Sequence, residues 1–316
     1  MVVANKWVLN DTEVPLFFLC AQLIIAVILF MAAHILRVLQ LPLQFDLQVI
    51  KGLVPMIGLN VLGLSFSNYT LKFVDASFYQ VARGLVLPFT VATSLIYLHS
   101  RPSFLVLLAC TLVTLGFFVG VFLDGTSVSA VGIFFGVASS VITAIHSVVI
   151  KKSLEVVKGS ALHLSWYTNL YSAILLAPIL VFLGEGPGVL DLLYGNTTKN
   201  SLSTFLWGSL ITGVLGFLMS IASLLSIKVT SPITHMVSSA VRGVAASLLG
   251  MWLFKDIIST GRASSIAIIL GGSVFYTWVK HQETEAAKQN SYAQVPLEDV
   301  EEGKSDPTKR HRDASE

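Results

Sequence analysis

The chain has 316 residues, of which 54% are hydrophobic and only 12% charged, with a formal net charge of +2. Soluble domains carry about 25% charged residues, so the composition excludes an ordinary soluble protein and points to a membrane protein; the net charge itself indicates no nucleic-acid partner. Two cysteines, Cys20 and Cys110, fall in apolar runs and read as buried thiols, with neither a disulfide framework nor zinc-ligand spacing.

Apolar runs long enough to cross about 30 Å of hydrocarbon as helices recur at 16–37, 50–71, 76–98, 103–123, 129–150, 162–183, 204–226, 232–254 and 260–280. Backbone groups in lipid must be satisfied within their own segment, and the period-2 pattern of a membrane barrel is absent. The expected fold class is therefore an all-α membrane protein with nine complete spans. The opening Met1-Val-Val-Ala-Asn-Lys-Trp-Val-Leu-Asn is too short to cross but resembles the end of a span, so a truncated first helix, a tenth, is expected before them.

Taken in chain order, the polar residues inside these runs carry the functional signal. Asn60 and Asn68, in the second complete run, are expected to hydrogen-bond neighbouring helices. The third run, Ser77-Phe-Tyr-Gln-Val-Ala-Arg-Gly-Leu-Val-Leu-Pro-Phe-Thr, buries Arg83 one helical turn after Tyr79, so both share a face. In the fifth run His146 sits near Thr143 and Ser147, as a hydrogen-bonded packing histidine or a proton relay. The eighth, Thr234-His-Met-Val-Ser-Ser-Ala-Val-Arg-Gly, buries Arg242, with His235 and Ser239 before it. A charge in hydrocarbon costs roughly 3 kcal/mol even on the mildest scale, so two arginines, each followed by glycine, point to a polyanion site inside a membrane bundle. The structural alternatives are a helix-end or snorkelling contact for Arg242 and a fixed gate contact for Arg83. Gly84, Gly243 and Gly271-Gly272 are expected to permit close helix packing.

One set of loops holds Arg37, Lys51, Arg101, Lys151-Lys152, Lys158 and Lys228; the other holds Asp11, Glu13, Lys72, Asp75, Asp124, Glu185, Asp191, Lys199, Lys255, Asp256 and Arg262. The first is the more basic and is expected to be cytosolic, with Arg262 and Lys255 against the trend. The glycosylation sequons at Asn10 and Asn196 then fall on the lumenal side. The tail is expected to be a disordered cytosolic extension, 284–316, beyond a transporter domain, 1–283. Leu71-Lys-Phe-Val-Asp-Ala-Ser and Ile227-Lys-Val-Thr-Ser-Pro-Ile each stand at the start of a run, five runs apart. An odd separation implies opposite entry into the membrane, the mark of an inverted repeat, about 1–123 and 129–280.

Asn5-Lys-Trp-Val-Leu, Phe78-Tyr-Gln-Val-Ala-Arg-Gly-Leu, Thr230-Ser-Pro-Ile-Thr-His-Met-Val-Ser and Gly271-Gly-Ser-Val-Phe-Tyr-Thr-Trp-Val together resemble the nucleotide-sugar and triose-phosphate translocators of the drug/metabolite transporter superfamily. Within that group the chain is most similar to the Golgi GDP-fucose transporters. The resemblance implies ten helices in two inverted five-helix repeats, with the first helix truncated here. Trp166-Tyr-Thr-Asn169 is similar to a Phe-Tyr-Asn-Asn motif implicated in guanine recognition, with Thr168 in place of the first Asn; this implies substrate contacts for Trp166, Tyr167 and Asn169. Ser239-Ala-Val-Arg242 stands where the group has Gly-x-x-Lys, which implies a phosphate or sugar contact for Arg242 and places Ser239 beside it. Arginine grips phosphate bidentately where lysine is a point charge. Arg83, Tyr79 and His235 complete the candidate substrate site.

No Gly-x-Ser-x-Gly, His-Glu-x-x-His or Walker sequence is present, so an enzyme is not expected, nor a cofactor or metal. The expected function is a multi-pass Golgi or ER antiporter exchanging a nucleotide sugar, GDP-fucose, for GMP. The alternatives are transport of another nucleotide sugar or of a phosphorylated triose or pentose, and a non-transporting scaffold or regulator. Expected partners are the nucleotide sugar, a nucleoside monophosphate and the bilayer, with a homodimer allowed.

Overall fold

A computed structural model describes residues 1–43, 46–99, 101–123, 129–194, 199–229, 243, 245–253 and 259–293. They form helices α1 (Val2–Asp11), α2 (Pro15–Ile35), α3 (Leu47–Phe73), α4 (Ala76–Gly84), α5 (Val86–Leu98), α6 (Phe104–Phe122), α7 (Ala130–Val156), α8 (Ala161–Phe182), α9 (Gly186–Tyr194), α10 (Lys199–Val229) and α11 (Thr260–Ala293), with a further helical stretch at 245–253. No strand occurs among the described residues. Seven of the helices are long and apolar enough to cross a membrane.

Local sequence explains five of the starts. Asp46, Ser103, Ser129 and Ser160 are N-caps whose side chains accept backbone N–H groups of the first turn, worth about 1 kcal/mol each. Pro15 opens α2, where its missing N–H leaves no bond unmade. Several helices outrun their apolar segments: α3, α7 and α10 all extend beyond 50–71, 129–150 and 204–226. An apolar run measures hydrocarbon thickness, whereas helical hydrogen bonding continues through polar turns outside it. The same effect corrects the tail: α11 continues to Ala293, so 284–293 is helical, and the rest of the tail lies outside the described residues, as do most of the expected span 232–254 and the sequon at Asn196.

The expected span 76–98 is divided into α4 and α5 at Leu85. Pro88 lacks the N–H that the Gly84 carbonyl would accept, and its ring crowds that carbonyl. The break follows Arg83 by two residues. Leu71-Lys72 and Ile227-Lys228 close α3 and α10 rather than open the runs after them; the matching position at the ends of two long helices is kept.

The largest interfaces are α3 with α7 and α6 with α11. Around them, three buried charges rivet one end of the bundle. Lys6 donates 2.8 Å hydrogen bonds from Nζ to the carbonyls of Leu71 and Val74 at the end of α3, where helical carbonyls lack partners and the dipole favours a cation. The Glu185 carboxylate accepts the N–H groups of Leu16 (3.0 Å) and Phe17 (2.9 Å) at the start of α2, and the Tyr69 hydroxyl at 3.3 Å. Arg262, 1% exposed, pairs with Asp75 at 3.0 Å. Arg262, which ran against the charge trend of the loops, is thus a buried structural cation and not a free loop charge.

Candidate functional site

Two adjoining cavities of about 470 and 640 Å³ lie between the helices and share Met1, Val2, Arg83, Val86, Thr143 and Met219. The smaller is the more polar in its lining chemistry, with Asn60 and Asn68 from α3, Tyr79 and Arg83 from α4, His146 from α7 and Asn169 from α8. Gly243 lines the larger.

Arg83 is the central feature. It stands in the last turn of α4, its side chain open to both cavities, and it is the lone formally charged side chain among their described lining residues. Among the described residues no acidic side chain pairs with it. Tyr79, one turn earlier, lines the smaller cavity with it, as their spacing required. Arg83 is exposed, its side chain opening onto the two cavities rather than being sealed in apolar packing.

The Trp166–Asn169 segment is divided between two faces of α8. Asn169 lines the cavity, its Nδ2 donating to the Ser165 carbonyl at 2.8 Å. Trp166 and Tyr167 are buried in an apolar cluster with Phe30, Leu53 and Met56. Trp166 meets Phe30 edge-on at 6.2 Å, and Tyr167 stacks on Tyr171 at 6.0 Å. Thr168 is buried too, its hydroxyl donating to the Leu164 carbonyl. The structure therefore brings Arg83, Tyr79 and Asn169 to one cavity and sets Trp166 and Tyr167 in the packing behind it. Arg242, Ser239 and His235 lie outside the described residues.

Asn60 and Asn68 bond neighbouring helices, as expected: Asn60 Nδ2 donates to Ser172 Oγ at 2.9 Å, and Asn68 Nδ2 to the Pro15 carbonyl at 3.4 Å. His146 differs from expectation. Its Nε2 is buried and finds no hydrogen-bond partner among the described residues. The Thr143 and Ser147 hydroxyls instead donate backward to the carbonyls of Ser139 and Thr143. Lining residues that the sequence reading did not assign to the site include Asn5, Gln22 and Thr212. Gln22 Nε2 donates to Asn5 Oδ1 (3.0 Å) and to Thr212 Oγ1 (2.7 Å), tying α1, α2 and α10 together at the cavity wall. A glutamine in the middle of an otherwise apolar run was the available signal. Cys20 and Cys110 are buried thiols.

The cavity can therefore hold an anionic ligand at Arg83 and present neutral amide and hydroxyl groups along its length. Comparison with known proteins gives that chemistry a context. The Triose-phosphate Transporter family matches residues 1–277. GDP-fucose transporter 1 of Dictyostelium discoideum is 32% identical, covering 88% of this chain and 76% of its own. GDP-fucose transporter 1 of Mus musculus is 30% identical over 92% and 82%, and the Golgi GDP-fucose transporter of Drosophila melanogaster 30% over 92% and 90%. A protein of known crystal structure superposes with a TM-score of 0.54 at 16% identity, covering 89% of this chain and 96% of that one; that likeness speaks to the fold alone.

Proposed function

The chain belongs to the triose-phosphate transporter family, and from that premise we propose that it is a Golgi nucleotide-sugar antiporter that carries GDP-fucose to the lumen in exchange for GMP. The observation that supports this most is Arg83, without an ion-pair partner among the described residues, lining a cavity of a multi-span bundle. Its planar guanidinium can take two phosphate oxygens at once. Arg242 supplies a second cation; its neighbour Gly243 stands at the wall of the adjoining cavity. Asn169 presents both donor and acceptor to a guanine edge, with Trp166 and Tyr167 holding the wall from behind, and Tyr79 lies beside Arg83 where the sugar or ribose passes. Ser239 and His235 are assigned to the same substrate site.

The movement follows from the same charge. Two inverted repeats, about 1–123 and 129–280, rock around a midplane site. An empty cavity leaves the arginines without counter-charge, and closing low-dielectric walls around them is costly. A nucleotide neutralises them. The loaded carrier therefore crosses over readily and the empty one poorly, which is strict exchange.

Competition against labelled GDP-fucose uptake tests the substrate reading. GMP should inhibit at least 10-fold more strongly than UMP, because a site built for a guanine edge leaves polar groups unpaired against uracil. Equal inhibition by the two would contradict guanine recognition. Stronger inhibition by a phosphorylated triose than by either would replace the nucleotide with a smaller anion.

A further inference from the structure

Arg83 is carried by a helix of only nine residues, and that helix is gripped at both ends by the C-terminal half of the chain. At its start, Arg262 of α11 donates from one terminal nitrogen to Asp75 Oδ2 at 3.0 Å and to Ser77 Oγ at 2.9 Å. The same guanidinium lies 5.9 Å from the centre of the Phe78 ring. At its end, Ser140 of α7 donates to the Ala82 carbonyl at 2.8 Å. The backbones are in close approach as well. A Cβ on Gly84 would stand 2.7 Å from Ile269 Cγ2 of α11, and one on Gly136 of α7 would stand 2.9 Å from Ala82 Cβ. Onward, α4 is interrupted at Leu85, where Pro88 withholds a helical hydrogen bond. So α4 follows α3 in sequence, yet its polar anchors described here lie on α7 and α11.

We propose that Arg262 is a positioning residue for substrate binding: it clasps α4 to α11, sets where Arg83 stands, and makes α4 travel with the C-terminal half when the two halves rock. Arg262 does not touch the ligand; neither cavity is lined by it. Its guanidinium is buried while the Asp75 side chain is half exposed. A buried cation deprived of its carboxylate is strongly disfavoured, so the pair holds as long as α4 stays seated. The Leu85 break lets α4 move without dragging α5. This inference rests on Arg83 as the phosphate ligand.

The test uses the purified full chain, with GDP as the probe and each variant titrated to millimolar GDP so that weakened binding stays measurable. Arg262→Ala and Asp75→Asn should each weaken GDP binding about 10-fold. Arg262→Lys should recover part of the loss, and the exchanged pair Asp75→Arg/Arg262→Asp should recover more than either single change. Added to Arg83→Ala, Arg262→Ala should alter GDP affinity less than 2-fold, because the residue through which it acts is gone. If Arg262→Ala does not fold, Asp75→Asn, altered at a half-exposed side chain, carries the same comparison. Parental GDP affinity in Asp75→Asn and Arg262→Lys, with weakened affinity in Arg83→Ala, overturns the clasp alone. Equal, additive losses with and without Arg83 overturn it as well, leaving a purely structural pair. An Arg83→Ala chain that binds GDP like its parent overturns the phosphate reading, and the clasp with it.

Discussion

Replacing Arg83 with alanine is expected to lower nucleotide-sugar uptake by about 100-fold or more while leaving the amount of folded protein unchanged. Hydrogen bonds to charged groups contribute about 1.5–3 kcal/mol each, and a guanidinium can make two to one phosphate. Losing both removes roughly 3–6 kcal/mol of ligand interaction, and about 1.4 kcal/mol is a factor of ten. Folding should be spared because no described ion pair involves Arg83 and its side chain opens onto cavities; the packing of α4 comes from Phe78, Val81 and Ala82, all essentially buried. Arg83→Lys should sit between, keeping the charge and losing the fork. Initial rates of counterflow in vesicles, normalised to protein incorporated, measure this. Uptake by Arg83→Ala within 2-fold of the parent would remove Arg83 from the site.

The second large effect is on stability. Lys6→Met keeps the length and apolar stem of the side chain and deletes its ammonium. In the parent that ammonium donates at 2.8 Å to two carbonyls at the end of α3, and the side chain is 7% exposed. Without it, Leu71 and Val74 carbonyls lose a charged partner in a buried place, at about 1–3 kcal/mol for each unsatisfied group. The helix end also loses a favourable charge at its negative pole. A fall in thermal unfolding temperature on the order of 5–10 °C is expected, with Lys6→Arg close to the parent. Unfolding of Lys6→Met at the parental temperature would show that water or a neighbouring group satisfies those carbonyls.

How much of this was legible in the sequence depends on the range of each interaction. Apolar runs act over a few residues, so most of the long helices could be read directly; the ends of α3, α7 and α10 could not, because apolarity stops at the membrane surface and helical hydrogen bonding does not. Arg83 was legible for an energetic reason: a charge inside an apolar run has no bland solvent-exposed explanation. The Trp166–Asn169 segment shows the limit of adjacency. Successive helical residues turn by about 100°, so Tyr167 and Asn169 point to opposite sides, and only packing decides which side is the cavity. Asn169 lines it, and Tyr167 stacks on Tyr171 in the apolar cluster that also holds Phe30 and Trp166. The rivets were hidden because their partners are remote: Lys6 bonds residues near 71, Glu185 the start of α2, and Arg262 a carboxylate 187 positions away. As loop charges, Glu185 and Arg262 looked like topology signals; folded, they are buried and serve particular backbone and side-chain groups.

Exchange is the central claim, and the most direct measurement is uptake of labelled GDP-fucose into sealed vesicles containing the purified chain, either loaded with GMP or empty inside. Rapid, saturable accumulation in the GMP-loaded vesicles and little in the empty ones is the predicted result. Equal uptake in both, or none in either, would contradict it.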